Sequence, residues 1–374
     1  MSAACEARLE IVSPEVWQKV EPEWQALAEV SADVPLFVGG DWVATWLEVF
    51  GPALRPWLFT LRSGSTLLAS CLLTPRTERR GPFPVRCVYL NTAGEAPGEG
   101  VCVEYNQLVC REGDEGQAAR ALAGALSELG VDEVVATGLV PRSLAPLREA
   151  LRGWAEETLW SQDPLVDLAQ LRRGGVDYRQ AGLSRNTRAQ VQRGLRAYAE
   201  IGEVRTEVAD SAARAQELLC ELIELHQSTW RARGHAGAFA SERCRDFHRR
   251  FVARAFERGS VQLVRVAAGA ETIGLLYSFV DRRRVFFYQS GLRYREGKHL
   301  RPGLVSHVCA IERCLVQGFD AYHFLAGDET APRYKKSLAT SERQLAWVHW
   351  QRPGWKTRAI RGLRALKRRL GGAL

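Results

Sequence analysis

An internal repeat is the feature that most constrains this chain. In the first copy, the helix-patterned DWVATWLEVF (41–50) leads to WLFTL, a turn at Ser63-Gly64, and the strand-patterned TLLASCLL and VRCVYLN, with Gly94 just beyond. In the second, FHRRFVARAFERG (247–259) leads to VQLVRV, a turn at Gly269, TIGLLYSFV and RVFFYQS, with Gly291 just beyond. Helical EGQAARALAGALSELG and the strand DEVVATGL then follow in the first copy, and PGLVSHVCAIERCLVQG and AYHFLAG in the second. The pairs Gly64/Gly269, Tyr89/Tyr288, Gly94/Gly291, Gly130/Gly318 and Gly138/Gly327 lie 205, 199, 197, 188 and 189 residues apart. Chance likeness does not keep five landmarks in order with so little drift.

Each copy reads as a helix, an antiparallel meander, a long helix and a crossover strand, which makes a mixed sheet with helices on its faces. The expected fold class is therefore α/β (α+β): two tandem mixed-sheet domains, 1–165 and 166–351, and a basic C-terminal helix, 352–374. With 374 residues, 46% hydrophobic and 25% charged, the chain is long enough to bury two cores.

The net charge of +8 is unevenly placed. Seven basic residues and no acidic one follow Trp355, leaving about +1 for the body, so specific DNA binding by the domains is not expected. Nine cysteines form no C-x-x-C pair, and neither a disulfide framework nor a metal site is read from them; buried inert thiols in a reducing compartment fit better. Glu6, Arg8 and Glu10 interrupt the N-terminal stretch, which does not read as a signal peptide, and no run approaches the roughly 18 apolar residues of a membrane span. A cytoplasmic protein is expected.

Between the copies, residues 183–201 pattern as a basic amphipathic helix. Arg185, Arg188, Arg193 and Arg196 fall within an arc of about 140°, with Leu183, Val191, Leu195, Tyr198 and Ile201 opposite. Ser184 is placed to cap its start and Gly202 to close its end. In the C-terminal helix, Trp355, Ile360, Leu363, Leu366 and Leu370 cluster against an arginine-rich face. Three outcomes stay open for 355–370: contact with an anionic membrane on its inner face, docking on the second domain, or fraying.

The run SRNTRAQVQRGLR (184–196), then WRARG (230–234), YQSG (288–291), RPG (301–303) and YHFLAG…RYKKSL (322–338) resemble the CelD/BioF-like branch of the GNAT superfamily, which in turn looks like the FemAB-type tandem transferases. An aspartate common in that branch is replaced here by His323. The resemblance implies acyl transfer from a thioester, acyl-CoA or acyl-carrier protein, to an amine on a small molecule, lipid or sugar in an envelope, polysaccharide or secondary-metabolite pathway. Aminoacyl transfer from aminoacyl-tRNA and a noncatalytic scaffold are the alternatives.

In such a fold RVFFYQS and AYHFLAG splay apart, and the donor lies between them against free backbone N–H groups. Tyr288, Gln289, Ser290, Arg293, Arg301, Gly303 and Leu304 are the expected donor contacts, with Arg295 and Lys298 completing a basic approach to a helix start that suits phosphate. The ordinary alternative is a solvated basic loop before a proline-started helix. Asp328, Glu329 and His323 are candidates to deprotonate the amine, and Tyr334 resembles the superfamily's acid for the departing thiolate. Arg185, Asn186, Arg188 and Arg193, with Trp230, Arg233 and Lys335, are candidates for holding substrate, since guanidinium forks match phosphate and carboxylate. Each has a plain structural reading too: a core histidine, helix-capping acids, a solvated charged face, a buried tryptophan. His226 has no metal-ligand neighbour at helical spacing.

Overall fold

In the computed structural model, residues 5–31, 36–295, 300–326 and 334–371 are described, the side chains of the last helix only as far as Leu363. The elements in chain order are β1 (Cys5–Ile11), α1 (Pro14–Val30), α2 (Gly40–Val49), α3 (Gly51–Leu54), β2 (Trp57–Ser63), β3 (Thr66–Arg80), β4 (Phe83–Leu90), β5 (Val109–Cys110), α4 (Glu115–Glu128), β6 (Glu133–Leu139), α5 (Pro141–Ala150) and β7 (Ala155–Asp167). There follow α6 (Leu168–Arg173), α7 (Arg185–Ala199), β8 (Val204–Val208), α8 (Ala212–Ala232), α9 (Glu242–Ala255), β9 (Val261–Ala268), β10 (Glu271–Asp281), β11 (Arg284–Leu292), α10 (Pro302–Val316), β12 (Ala321–His323), α11 (Tyr334–Leu338), β13 (Ser341–Gln351) and α12 (Trp355–Gly371).

Two compact units result: residues 1–161 with 345–374, and residues 162–344. In the first unit the strand order is β1-β2-β3-β4-β6-β13, and in the second it is β7-β12-β11-β10-β9-β8. In each, a meander of three antiparallel strands meets the crossover strand in parallel, β4 with β6 and β11 with β12, as the repeat predicts. Gly64 and Gly269, at φ +59° and +57°, make the first hairpin turn of each copy.

The domain boundaries expected at 165/166 and 351/352 fall elsewhere. Residues 345–351, expected in the second domain, lie in the first unit, because β13 pairs antiparallel with β6, Val348 opposite Ala136 and Trp350 opposite Val134. The end of β7 lies in the second unit, pairing with β12 through Leu165↔His323 and Val166↔Tyr322. Each unit thus takes its strand beside the crossover strand from the other half of the sequence, which local pattern does not reveal. The N-terminal segment, given no element by its sequence, forms β1 on the edge strand β2.

Both cores follow the apolar periodicity. In the first unit, Ala118, Ala119, Leu122 and Leu126 of α4 pack on Leu73, Val88, Val134 and Val348 of the sheet. In the second, α10 is buried along its first two turns, and Val305, Val308 and Ile311 pack on Val264, Leu276, Val285 and Tyr322. Ser184 caps α7, its Oγ accepting from Thr187 N at 3.2 Å, and Val191 and Tyr198 face inward, whereas Ile201, expected on that side, is exposed. The described start of α12 touches the first unit: the Trp355 ring lies 5.8 Å from Phe83 edge to face, and Lys356 Nζ donates to Asp132 at 3.0 Å. No helix among the described residues is long and apolar enough to cross a membrane.

Candidate functional site

The fourth and fifth strands of the second unit separate. β11 and β12 pair only at Arg284↔Ala321, Val285↔Tyr322 and Phe286↔His323; β11 then continues to Leu292 while β12 ends. Tyr277 of β10 faces Gln289 and Ser278 faces Phe287, so Tyr288 is the extra residue of a β-bulge that re-aims β11. Just past β12, buried Leu325 adopts φ +58°, a left-handed conformation costly for a residue with a Cβ. A strand edge at such a gap offers backbone N–H groups to an extended ligand.

On the α10 side of the gap, Lys335 bridges its margins. Its Nζ stands 4.9 Å from the Phe287 ring centroid and donates to the Phe324 carbonyl at 3.3 Å. Below it, His307 is fully buried, its Nδ1 2.9 Å from the Tyr322 hydroxyl and its Nε2 without a partner among the described residues. Burial, and secondarily the Lys335 charge, hold this imidazole well below its ordinary pKa, so it is neutral. The Tyr334 ring lies 5.7 Å from His307, and burial pushes its phenol up, keeping it protonated. Its hydroxyl sits over Gly303 in the first turn of α10.

On the other face, His323 stacks on Phe286 at 4.5 Å, and its Nδ1 lies 2.6 Å from Asp163 Oδ2, both side chains fully buried. Tyr288 packs there among His248, Tyr277 and Phe279. His226 Nδ1 faces the Ser290 carbonyl at 3.0 Å and its Nε2 faces the Ala238 N–H at 3.2 Å. The first nitrogen must donate and the second accept, so His226 is a neutral latch between α8, β11 and the loop after α8.

The other candidates are dispersed around this centre. Tyr288, Gln289 and Ser290 lie on the stretch of β11 that has left β12. Arg293 Nε donates to Thr272 O at 3.1 Å and Arg295 pairs with Glu271 at 2.7 Å, so these two arginines are engaged by β10. Arg301 is exposed at the cap of α10, with Gly303 and Leu304 buried behind it. Lys298, Asp328 and Glu329 lie outside the described residues. Arg185, Asn186, Arg188, Arg193 and Arg196 are exposed along α7, and Arg188 also donates to the carbonyls of Gln180 (2.8 Å) and Leu183 (3.3 Å). Trp230 and Arg233 end α8, where the Arg233 guanidinium lies 4.8 Å from the Tyr294 ring and 5.9 Å from that of Trp230. His307, Asp163, Phe287 and Tyr322 were not singled out by sequence; a histidine on the apolar stripe of α10 was the one signal available.

The first unit closes the corresponding gap with its own chain. After Tyr89↔Val135, the last pair of β4 with β6, residues 103–107 fill the space and are buried, and Asn106 bridges to Leu139. Asn91 locks them: its Nδ2 donates to Asn106 Oδ1 at 2.6 Å and to Gln107 O at 2.8 Å, while its Oδ1 accepts from Leu72 N at 3.0 Å. A Cβ on Gly138 would meet Glu104 Cα at 2.5 Å, so glycine permits this close approach. Among the described residues of the second unit, no isolated bridge of this kind follows Phe286↔His323.

Residues 185–336 match the model of the acetyltransferase (GNAT) domain family. No curated protein matches by sequence. Among solved structures, FemX is similar at a TM-score of 0.56 and 10% identity, over 91% of this chain and 96% of that one. The C-terminal DUF2156 domain of a putative lysylphosphatidylglycerol synthetase from Agrobacterium fabrum gives 0.55 and 11%, over 93% and 95%. L-PGS from Bacillus licheniformis gives 0.55 and 10%, over 94% and 96%. At these identities the likeness is one of fold, and it spans both units. The match to the acetyltransferase (GNAT) domain family thus lies in the second unit, with its meander-and-crossover sheet and parted strands, and the chain as a whole shares the tandem fold of FemX.

Proposed function

We propose that the second unit transfers an acyl group from a thioester, on CoA or an acyl-carrier protein, to the amine of a small molecule, lipid or sugar. The carrying observation is the parting of β11 from β12 beyond Phe286↔His323, with the Lys335 ammonium at its margin. An extended, amide-bearing pantetheine arm suits the stretch of β11 that has left β12, beside the bulge at Tyr288. The amine nitrogen attacks the thioester carbon, His323 takes its proton, the C–S bond breaks, and Tyr334 protonates the thiolate. Lys335 stabilises the negative charge that develops on oxygen and sulfur.

Purified protein given acetyl-CoA and a panel of primary amines, with thiol release followed, tests this. Amine-dependent release, lost in Lys335→Ala, is expected; no consumption of acetyl-CoA or of an acylated carrier protein sinks the reading. A second reading, aminoacyl transfer from aminoacyl-tRNA, is favoured by one observation: α7 carries four exposed arginines and no acidic residue, a face that suits a polyanion. Ribonuclease-sensitive activity separates it from the first.

A further inference from the structure

We infer that Asp163 is a positioning residue that fixes the tautomer of His323 and so makes it the base that deprotonates the acceptor amine, an inference that rests on the acyl-transfer reading above. The two residues are 160 apart in sequence and meet across one strand pair. His323 is opposite Leu165 in the β7–β12 ladder, and Asp163 stands two residues farther along β7, on the same face. The Nδ1 to Oδ2 distance of 2.6 Å, with both side chains buried, leaves the carboxylate acting as acceptor and Nδ1 as donor. The basic lone pair then belongs to Nε2. Phe286, stacked at 4.5 Å and 14°, holds the ring plane.

The placement gives this pair a purpose that a core contact lacks. Phe286↔His323 is the last rung before β11 and β12 part, so the oriented imidazole stands at the start of the donor gap. It projects to the face opposite Lys335 and Tyr334, since Tyr322 and Phe324, its neighbours in sequence, pack with His307 on the α10 side. Proton removal from the amine and charge stabilisation on the thioester are thereby given to opposite faces of one sheet. The proton moves from the attacking nitrogen to His323 Nε2, and the Nδ1 proton stays with the imidazole, shared toward Asp163.

The test uses the full chain labelled with 15N-histidine. In the wild type, the His323 ring, assigned by its loss in His323→Gln, is expected to carry its proton on Nδ1. In Asp163→Asn the amide N–H₂ turns to Nδ1 and the proton moves to Nε2. With acetyl-CoA and a primary amine, kcat for Asp163→Asn is expected to fall about 100-fold or more, with the acetyl-CoA KM within about twofold and the acid limb of the pH profile, along which the base loses its proton, displaced. Asp163→Asn added to His323→Gln should cost nothing further, because residues acting as one unit are not additive. An unaltered tautomer, or an altered tautomer with wild-type kcat, overturns the inference; so does a full additional loss in the double variant. If wild-type protein transfers no acyl group, the acyl-transfer reading has failed, and the tautomer result still decides what Asp163 does.

Discussion

The Tyr334 hydroxyl rests so close to Gly303 that a Cβ at position 303 would come within 2.8 Å of Oη and 2.9 Å of Cζ. The glycine at the start of α10 is therefore there for the tyrosine. Gly303→Ala should displace the ring, lower the rate of acyl transfer about tenfold or more, and cost about 1–3 kcal/mol of stability, as overpacking does. Steady-state kinetics with acetyl-CoA, beside denaturant unfolding, check both parts.

Lys335 joins the two margins of the gap through Phe287 and Phe324. Replacing it with methionine keeps most of the aliphatic stem and removes the charge. kcat should fall at least tenfold with the thioester KM changed little, because the charge it stabilises develops in the transition state. Equal kcat in Lys335→Met would remove this role.

On α7, the triple variant Arg185→Ala/Arg193→Ala/Arg196→Ala should leave the melting temperature almost unchanged, since these side chains are exposed. If the donor rides on a polyanion, its KM should rise and lose its steep dependence on salt. Comparing acetyl-CoA, acylated carrier protein and aminoacyl-tRNA as donors shows which one feels the loss. No change with any of them makes the face a solvated one.

Burial holds His248 down to about 3 and lowers His226 and His307 as well. The unfolded chain takes up these protons near pH 6.5 and the native one does not, so stability should be constant above that pH and decline as it falls toward 3. Each such histidine contributes up to about 1.4 kcal/mol per pH unit. Urea unfolding of His248→Phe at pH 7.5 and 5.0 should show a smaller difference between the two conditions than the wild type.

In the first unit, Gly138→Ala would drive a Cβ to 2.5 Å from Glu104 Cα at a φ of +64°. A loss of more than about 2 kcal/mol is expected, from strain and clash together. Circular dichroism melts check it. A neutral substitution would show that the segment 103–107 is not held in the gap by this contact.

The sequence by itself determined the local units. Glycines at hairpin turns, alternating and 3.6-residue apolar patterns, and caps such as Ser184 are short-range physics, and they placed both meanders, both crossover helices and the basic helix α7 within a few residues. It also brought Tyr334, Gly303, Lys335 and the β11 stretch into one expected site. Tertiary structure alone decided which strands each unit takes from the other half of the chain, that Asp163 meets His323, that His307 lies under Lys335, and that residues 103–107 fill the gap of the first unit. These are contacts between residues far apart in the chain or filled volumes, and neither leaves a periodic trace: an aspartate before a proline reads as a turn until the strand beside it is known.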